Sequence, residues 1–304
     1  MDPLDDILET LALKGALYFR TDFHGEWSVT VPERPGAARF HLLVQGRVRA
    51  GIGAVELEMG PGDLLLIPRG RPHVLASPGA ALTGAPPLDR ALAAAGFDGA
   101  GPFALGEGPR ERATQLICGE FAFRRGADHA LLRALPDHLH VAAAARAGAP
   151  WLDDALRLVA RRVAEGGAGA RATVTRLSEI VFIEAVRAGL AGEARFLAAF
   201  ADPRLGRALR AIHAEPARGW TLAALAAEAG MSRTVFAERF RAAIGAGPMS
   251  YLADWRMQKA LALLERGDRP VSAVAAAAGY RSAAAFSRAF AQHFGGPPSE
   301  FRGA

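Results

Sequence analysis

Gly230-Met231-Ser232 is followed by Phe236 and Phe240, and Gly279-Tyr280-Arg281-Ser282 is followed by Phe286 and Phe290. These stretches are copies of one unit. Leu222, Leu225 and Gly230 recur 49 residues on as Val271, Val274 and Gly279. Phe236, Phe240, Gly245, Pro248 and Tyr251 recur at an offset of 50 as Phe286, Phe290, Gly295, Pro298 and Phe301, so the turn has gained one residue. In each copy the glycine stands where a helix ends in a left-handed residue, and the serine where the next helix starts with a side-chain cap. A short helix, a tight turn and a second helix make a helix-turn-helix motif, written here twice. A single match would fit any pair of packed helices in an alanine-rich bundle. Two matched sets of glycine, serine, phenylalanine and proline point to the motif itself.

The charge distribution agrees with that reading. Of 36 basic and 31 acidic residues in the 304-residue chain, residues 203–304 hold 14 and 7, a net charge of +7, leaving −2 for the rest. Such asymmetry marks a polyanion-binding module joined to a neutral one, although an arginine-rich solvated face would look similar. With 51% apolar and 22% charged residues, the composition is that of a folded globular protein of two or three domains. Asp2, Asp5 and Asp6 occupy the place of a signal peptide's basic region, and no uninterrupted apolar run of about 18 residues occurs, so neither secretion nor a membrane span is expected. The single cysteine, Cys118, has no disulfide partner and fits a reducing cytoplasm.

Residues 27–83 carry short apolar stretches, such as Phe40 to Val44 and Leu64 to Ile67, broken by Gly and Pro at the spacing of a small β-sandwich or barrel. Residues 78–109, rich in Gly, Ala and Pro, read as irregular, and Thr114 to Phe123 as one further strand. From Leu131 the pattern turns helical, with Leu152, Leu156, Val159 and Val163 on one stripe and a Gly-rich break at residues 165–170. The expected fold is α+β: a small β-barrel over residues 1–125, a helical connecting region over 126–202 and an all-α double helix-turn-helix domain over 203–304.

The C-terminal region resembles the paired DNA-binding domain of the AraC/XylS transcription regulators. The resemblance rests on Gly245-Ala-Gly-Pro248-Met-Ser-Tyr251, Trp255-Arg256-Met257, Gly279-Tyr280, Phe286-Ser287-Arg288-Ala289-Phe290 and Phe294-Gly295-Gly-Pro297-Pro298. It implies that each second helix enters a major groove of promoter DNA and that RNA polymerase is a partner. With Phe236 and Phe240 turned inward, the first such helix offers Arg233, Thr234, Ala237, Glu238 and Arg241 to DNA. The family motif makes Thr234, Ala237 and Glu238 the base readers. Glu238 either accepts from a cytosine amino group or remains solvated or arginine-paired. The second helix offers Ala283, Ala284, Ser287 and Arg288, of which only Arg288 can make a bidentate contact to guanine. Arg256, Lys259, Arg269 and Arg281 are candidate phosphate contacts, or plain surface charges.

Residues Gly62-(five)-Pro68-Arg69-Gly70-Arg71-Pro72-His73 reproduce a conserved cupin motif. Arg39 stands where the other cupin motif has a metal-binding glutamate, and the paired upstream histidines are absent. A metal ion in the barrel is therefore short of ligands, which counts against the alternative of a metal-dependent cupin enzyme carrying an accessory DNA-binding domain. The chain resembles instead an AraC-type regulator with a cupin-type sensor. That resemblance implies a small effector, a metal or an oxidant as signal, with the connecting helices forming a homodimer or coupling the domains. A helical cap on the barrel would leave the same pattern. His41, His73 and Cys118 are the candidate effector or metal site, since two imidazoles and a thiolate suit copper or zinc and a thiolate can be oxidised. Taken singly, each of the three fits packing or hydrogen bonding within the barrel better than a ligand role. The remaining histidines, among them His129, His140 and His213, show no ligand-like spacing.

Overall fold

The computed structural model describes residues 3–99, 101–124, 126–127, 129–143, 150–165, 167–192 and 195–303. Helix α1 (Pro3–Leu11) leads into strands β1 (Lys14–Phe23), β2 (Ser28–Val31), β3 (Ala37–Gln45), β4 (Val48–Ile52), β5 (Val55–Met59), β6 (Leu64–Ile67) and β7 (His73–Ala76). Helix α2 (Leu88–Ala94), β8 (Pro102–Leu105), β9 (Gln115–Ala122), α3 (Ala130–Ala134) and β10 (Leu139–Val141) follow. The remainder is helical: α4 (Pro150–Glu165), α5 (Ala170–Gly192), α6 (Arg195–Ala201), α7 (Leu205–Ala214), α8 (Leu222–Glu228), α9 (Arg233–Ile244), α10 (Pro248–Arg266), α11 (Val271–Ala277) and α12 (Ala283–Phe294).

The chain divides into two compact units, neither continuous in sequence. One comprises Leu13–Phe123 with Leu135–Gly189, the other Met1–Ala12 and Arg124–Ala134 with Leu190–Ala304. The three segments expected from the sequence are continuous stretches. The units instead recruit α1 and α3 to the C-terminal helices.

In the first unit a six-stranded sheet, ordered β10-β6-β3-β9-β1-β8, and a four-stranded sheet, β2-β7-β4-β5, enclose one core. The cupin-like β-domain is present, but its strands do not close into the expected barrel. Hydrogen-bonded ladders join strands within each sheet, and the sheets meet through buried side chains such as Trp27, Val29, Leu43, Ile67, Leu75 and Leu116. The cupin motif supplies the turn between β6 and β7. Gly70 adopts φ +59°, and a Cβ there would lie 2.2 Å from the Arg34 carbonyl oxygen and 2.6 Å from that of Ala37, so only glycine fits. Residues 78–109, expected to be irregular, contain α2 and β8, and the helical stretch from Leu131 contains β10. β8 pairs in parallel with β1, and β10 antiparallel with β6, partnerships that a short Gly-rich or polar segment does not advertise. The break at residues 165–170 falls where α4 gives way to α5. Leu152, Leu156 and Val159 are buried as the stripe requires, while the Val163 side chain lies outside those described.

In the second unit both predicted turns form. Ser232 Oγ accepts from the Val235 amide at 3.4 Å and Ser282 Oγ from the Ala285 amide at 3.2 Å. Gly230 (φ +61°) and Gly279 (φ +78°) end the preceding helices in left-handed conformation. The next amides, of Met231 and Tyr280, bond back to the carbonyls of Ala226 and Ala275. Phe236, Phe240, Phe286 and Phe290 are fully buried, and truncating any one to alanine should cost about 3–5 kcal/mol.

Candidate functional site

The alternation of β3 places Arg39, His41 and Leu43 on its inner face. β9 lies antiparallel beside it, in a register that sets His41 opposite Cys118 and Arg39 opposite Glu120. His73 opens β7 in the other sheet. The three residues singled out from the sequence therefore meet inside the domain: His41 Nδ1 lies 3.1 Å from Cys118 Sγ, and His41 Nε2 lies 2.7 Å from His73 Nε2. His73 Nδ1 is 2.9 Å from the Arg71 carbonyl oxygen, which can only accept. That last bond orders the whole chain. His73 donates from Nδ1 to Arg71 and accepts at Nε2 from His41, whose Nδ1 then accepts from the Cys118 thiol.

Electrostatics favours this neutral arrangement. Burial, aided by the Arg39 charge, pushes His73 down to about 4, with the Arg71 carbonyl opposing. Burial, the neighbouring His73 and Arg39 hold His41 well below the usual imidazole range. Burial pushes the Cys118 thiol up to about 12, against the pull of Arg39. At neutral pH both rings are uncharged and Cys118 is a thiol.

A cavity of about 20 Å³ adjoins the chain, lined by Phe19, Phe23, Trp27 and Leu116 with Arg39, His41 and Cys118 on its polar side. It admits one water molecule and nothing larger without movement of the walls. His41 engages Cys118 and His73 through different ring nitrogens, so the three donors do not face a common point. Among the described residues, no group of three or more His, Cys, Asp or Glu side chains is arranged to hold a metal ion.

In the second unit the expected DNA face is largely free. Arg233, Thr234, Glu238 and Arg241 of α9 are exposed and Ala237 is half-buried; on α12, Ala284 and Arg288 are exposed and Ala283 and Ser287 half-buried. Arg269 and Arg281 are exposed as well. Two expected phosphate contacts are engaged within the protein. Lys259 Nζ pairs with Asp6 at 2.8 Å, and Arg256 donates to the carbonyls of Pro216 and Arg218, both at 2.7 Å.

The second unit also holds a buried polar network that sequence reasoning missed. Asp6 of α1 accepts from Lys259 and lies 3.3 Å from His213 Nδ1, while His213 Nε2 is 2.7 Å from the Tyr251 hydroxyl. Burial opposes the Asp6 charge, but bonds from His213 and Lys259 hold its carboxyl below the usual range. His129, preceding α3, packs edge-on against Tyr251 and Trp255. A sequence spacing of 207 residues between Asp6 and His213 offers no local signal.

A family model for the cupin matches residues 2–191, and one for a helix-turn-helix domain matches residues 225–304. Putative AraC-like transcription regulators of Streptomyces antibioticus and Streptomyces lividans are 31% and 30% identical to the chain, over 99% of its length and 98% of theirs. The HTH-type transcriptional regulator AlkR of Acinetobacter baylyi is 30% identical over 99% of both chains. Likeness that runs through the β-domain and both helix-turn-helix motifs alike settles the choice between regulator and cupin enzyme: the chain belongs to the AraC-like transcription regulators, and it is a DNA-binding protein rather than an enzyme.

Proposed function

We propose that the cupin domain receives the signal and that its receptor is the His73–His41–Cys118 chain together with Arg39. The observation that carries this reading is the convergence of those side chains from three strands beside an otherwise apolar cavity. Apolar walls with a few convergent polar groups suit a small, mainly apolar organic effector bearing one or two hydrogen-bonding groups. The alternatives are less well supported: the donors do not share a metal centre, and a thiol raised to about 12 holds almost no reactive thiolate. Because the cavity is close to full, an effector must part the lining to enter, so that binding and conformational change are linked.

On this reading the protein acts in the cytoplasm, engages RNA polymerase at its promoter and works as a homodimer. Arg233, Thr234, Ala237, Glu238 and Arg241 face one major-groove segment and Ala284, Ser287 and Arg288 the next. The test is a thermal-shift screen of the full chain against small metabolites, metals and oxidants, followed by promoter output for each hit in His73→Ala and wild type. An organic hit whose effect on transcription disappears in the variant is expected. Full response in the variant would place the receptor elsewhere.

A further inference from the structure

The internal repeat extends beyond the helix-turn-helix motifs. Arg207 and Arg256 also stand 49 residues apart, each on the helix that precedes its motif, α7 and α10. Their partners differ. Arg207 stays within its own motif, donating from Nε to the Glu228 carbonyl at 3.0 Å and from a terminal nitrogen to that of Ala229 at 3.3 Å, at the end of α8. Arg256 reaches across to the other motif. Its Nε and one terminal nitrogen donate to the carbonyls of Pro216 and Arg218, in the loop that leads into α8.

The turn of the second motif rests on the same loop. A Cβ at Gly279 would lie 2.8 Å from the Ala217 carbonyl oxygen, 3.1 Å from its Cα and 3.2 Å from Arg256 Cζ. Gly279 therefore serves the contact as well as its own positive φ. The loop is braced from its other side: Trp220 Nε1 donates to the Glu215 carbonyl at 2.9 Å, and the Arg218 guanidinium stacks 4.2 Å above the Trp220 ring. This second turn is also the longer one, having gained a residue relative to Gly230-Met231-Ser232.

We infer that Arg256, seated against Gly279, is a positioning residue that fixes the second helix-turn-helix on the first and thereby sets the spacing of the two DNA half-sites the protein accepts. Two linked readers reach successive major-groove segments only when their separation matches the helical repeat, about 34 Å. Slack between them spreads affinity over several spacings and adds an ordering cost at the correct one. A planar fork can hold two carbonyls at once, whereas a lysine ammonium is a point charge on a flexible stem. The phosphate role expected from the sequence asks only for positive charge.

The experiment uses the full chain and a fragment of its own promoter on which footprinting has located the two protected segments. Affinity is measured on that fragment and on versions with about one or two base pairs inserted or removed between the segments. Wild type should show a sharp optimum. Arg256→Lys should lose roughly tenfold at the natural spacing and little at the others, flattening the profile. Gly279→Ala approaches the contact from the opposite surface and should flatten it likewise. Wild-type affinity and profile in Arg256→Lys, or an equal loss at every spacing in Arg256→Ala, would identify an ordinary phosphate contact and overturn the inference.

Discussion

His41 and His73 face each other through their Nε2 atoms at 2.7 Å, from strands belonging to different sheets. Only one of two neutral imidazoles can donate across that gap, and protonating His73 would set two N–H groups against each other. Unfolded, His73 titrates at the ordinary 6.5; folded, at about 4. The unfolded chain thus binds more protons between those values, and the contribution to stability, complete above pH 6.5, is lost as the pH falls through 4. Its size is about 3 kcal/mol. Denaturant unfolding of the cupin unit at pH 7 and pH 5 should show about 2 kcal/mol of this loss, and His73→Gln should show a flatter dependence.

Cys118 reactivity gives a second measurement. With its thiol raised to about 12, native Cys118 should be alkylated by iodoacetamide about a thousandfold more slowly than a free cysteine, and at an ordinary rate in denaturant. Mass spectrometry over time reads both. Fast modification of the native protein would favour an oxidant over an organic effector as the signal.

Arg288 offers a test of base readout. Arg288→Ala should lose about 1–3 kcal/mol of binding at a single guanine and relax specificity there. Competition between the natural site and single-base variants measures it. A loss shared equally by all sequences would make Arg288 a backbone contact.

Asp6 bears on where the DNA-binding unit begins. Removing one member of a buried, hydrogen-bonded charge cluster strands the rest, so Asp6→Ala should destabilise this unit by about 3 kcal/mol, less what the partly exposed Lys259 regains from water. The Asp6 contribution is fully present above the ordinary carboxylate value of 3.8 and fades as the pH drops through its lower folded value. A fragment of residues 203–304 keeps both helix-turn-helix motifs but lacks Asp6. It should bind DNA yet melt below the full chain, as circular dichroism would record.

The parts of the fold legible in the sequence are those written locally. A left-handed glycine, a capping serine and two phenylalanines four apart suffice to specify each helix-turn-helix, and they lie within about a dozen residues. The Gly62 to His73 motif likewise announces its own turn and inward histidine. His41 meeting Cys118 depends on the register of β3 against β9, which no local pattern states. The absence of barrel closure turns on the edge strands, and those of the larger sheet, β8 and β10, lie in segments that read as irregular and helical. Asp6 reads as one more acidic residue in a polar start, because its partners His213 and Lys259 lie in the last third of the chain.

The placement of α1 has a consequence for synthesis. At about 5–20 residues per second, a ribosome that has made Asp6 needs roughly 10–40 s to reach His213. During that interval the side of α1 that packs on α7 and α10 has no native partner, although Arg124 can already bond the carbonyls of Thr10 and Leu11 and the strands that follow can pair. The DNA-binding unit thus joins segments made far apart in time, and an mRNA truncated before codon 213 yields a nascent chain in which part of the apolar face of α1 stays uncovered, a natural client for chaperones and proteases.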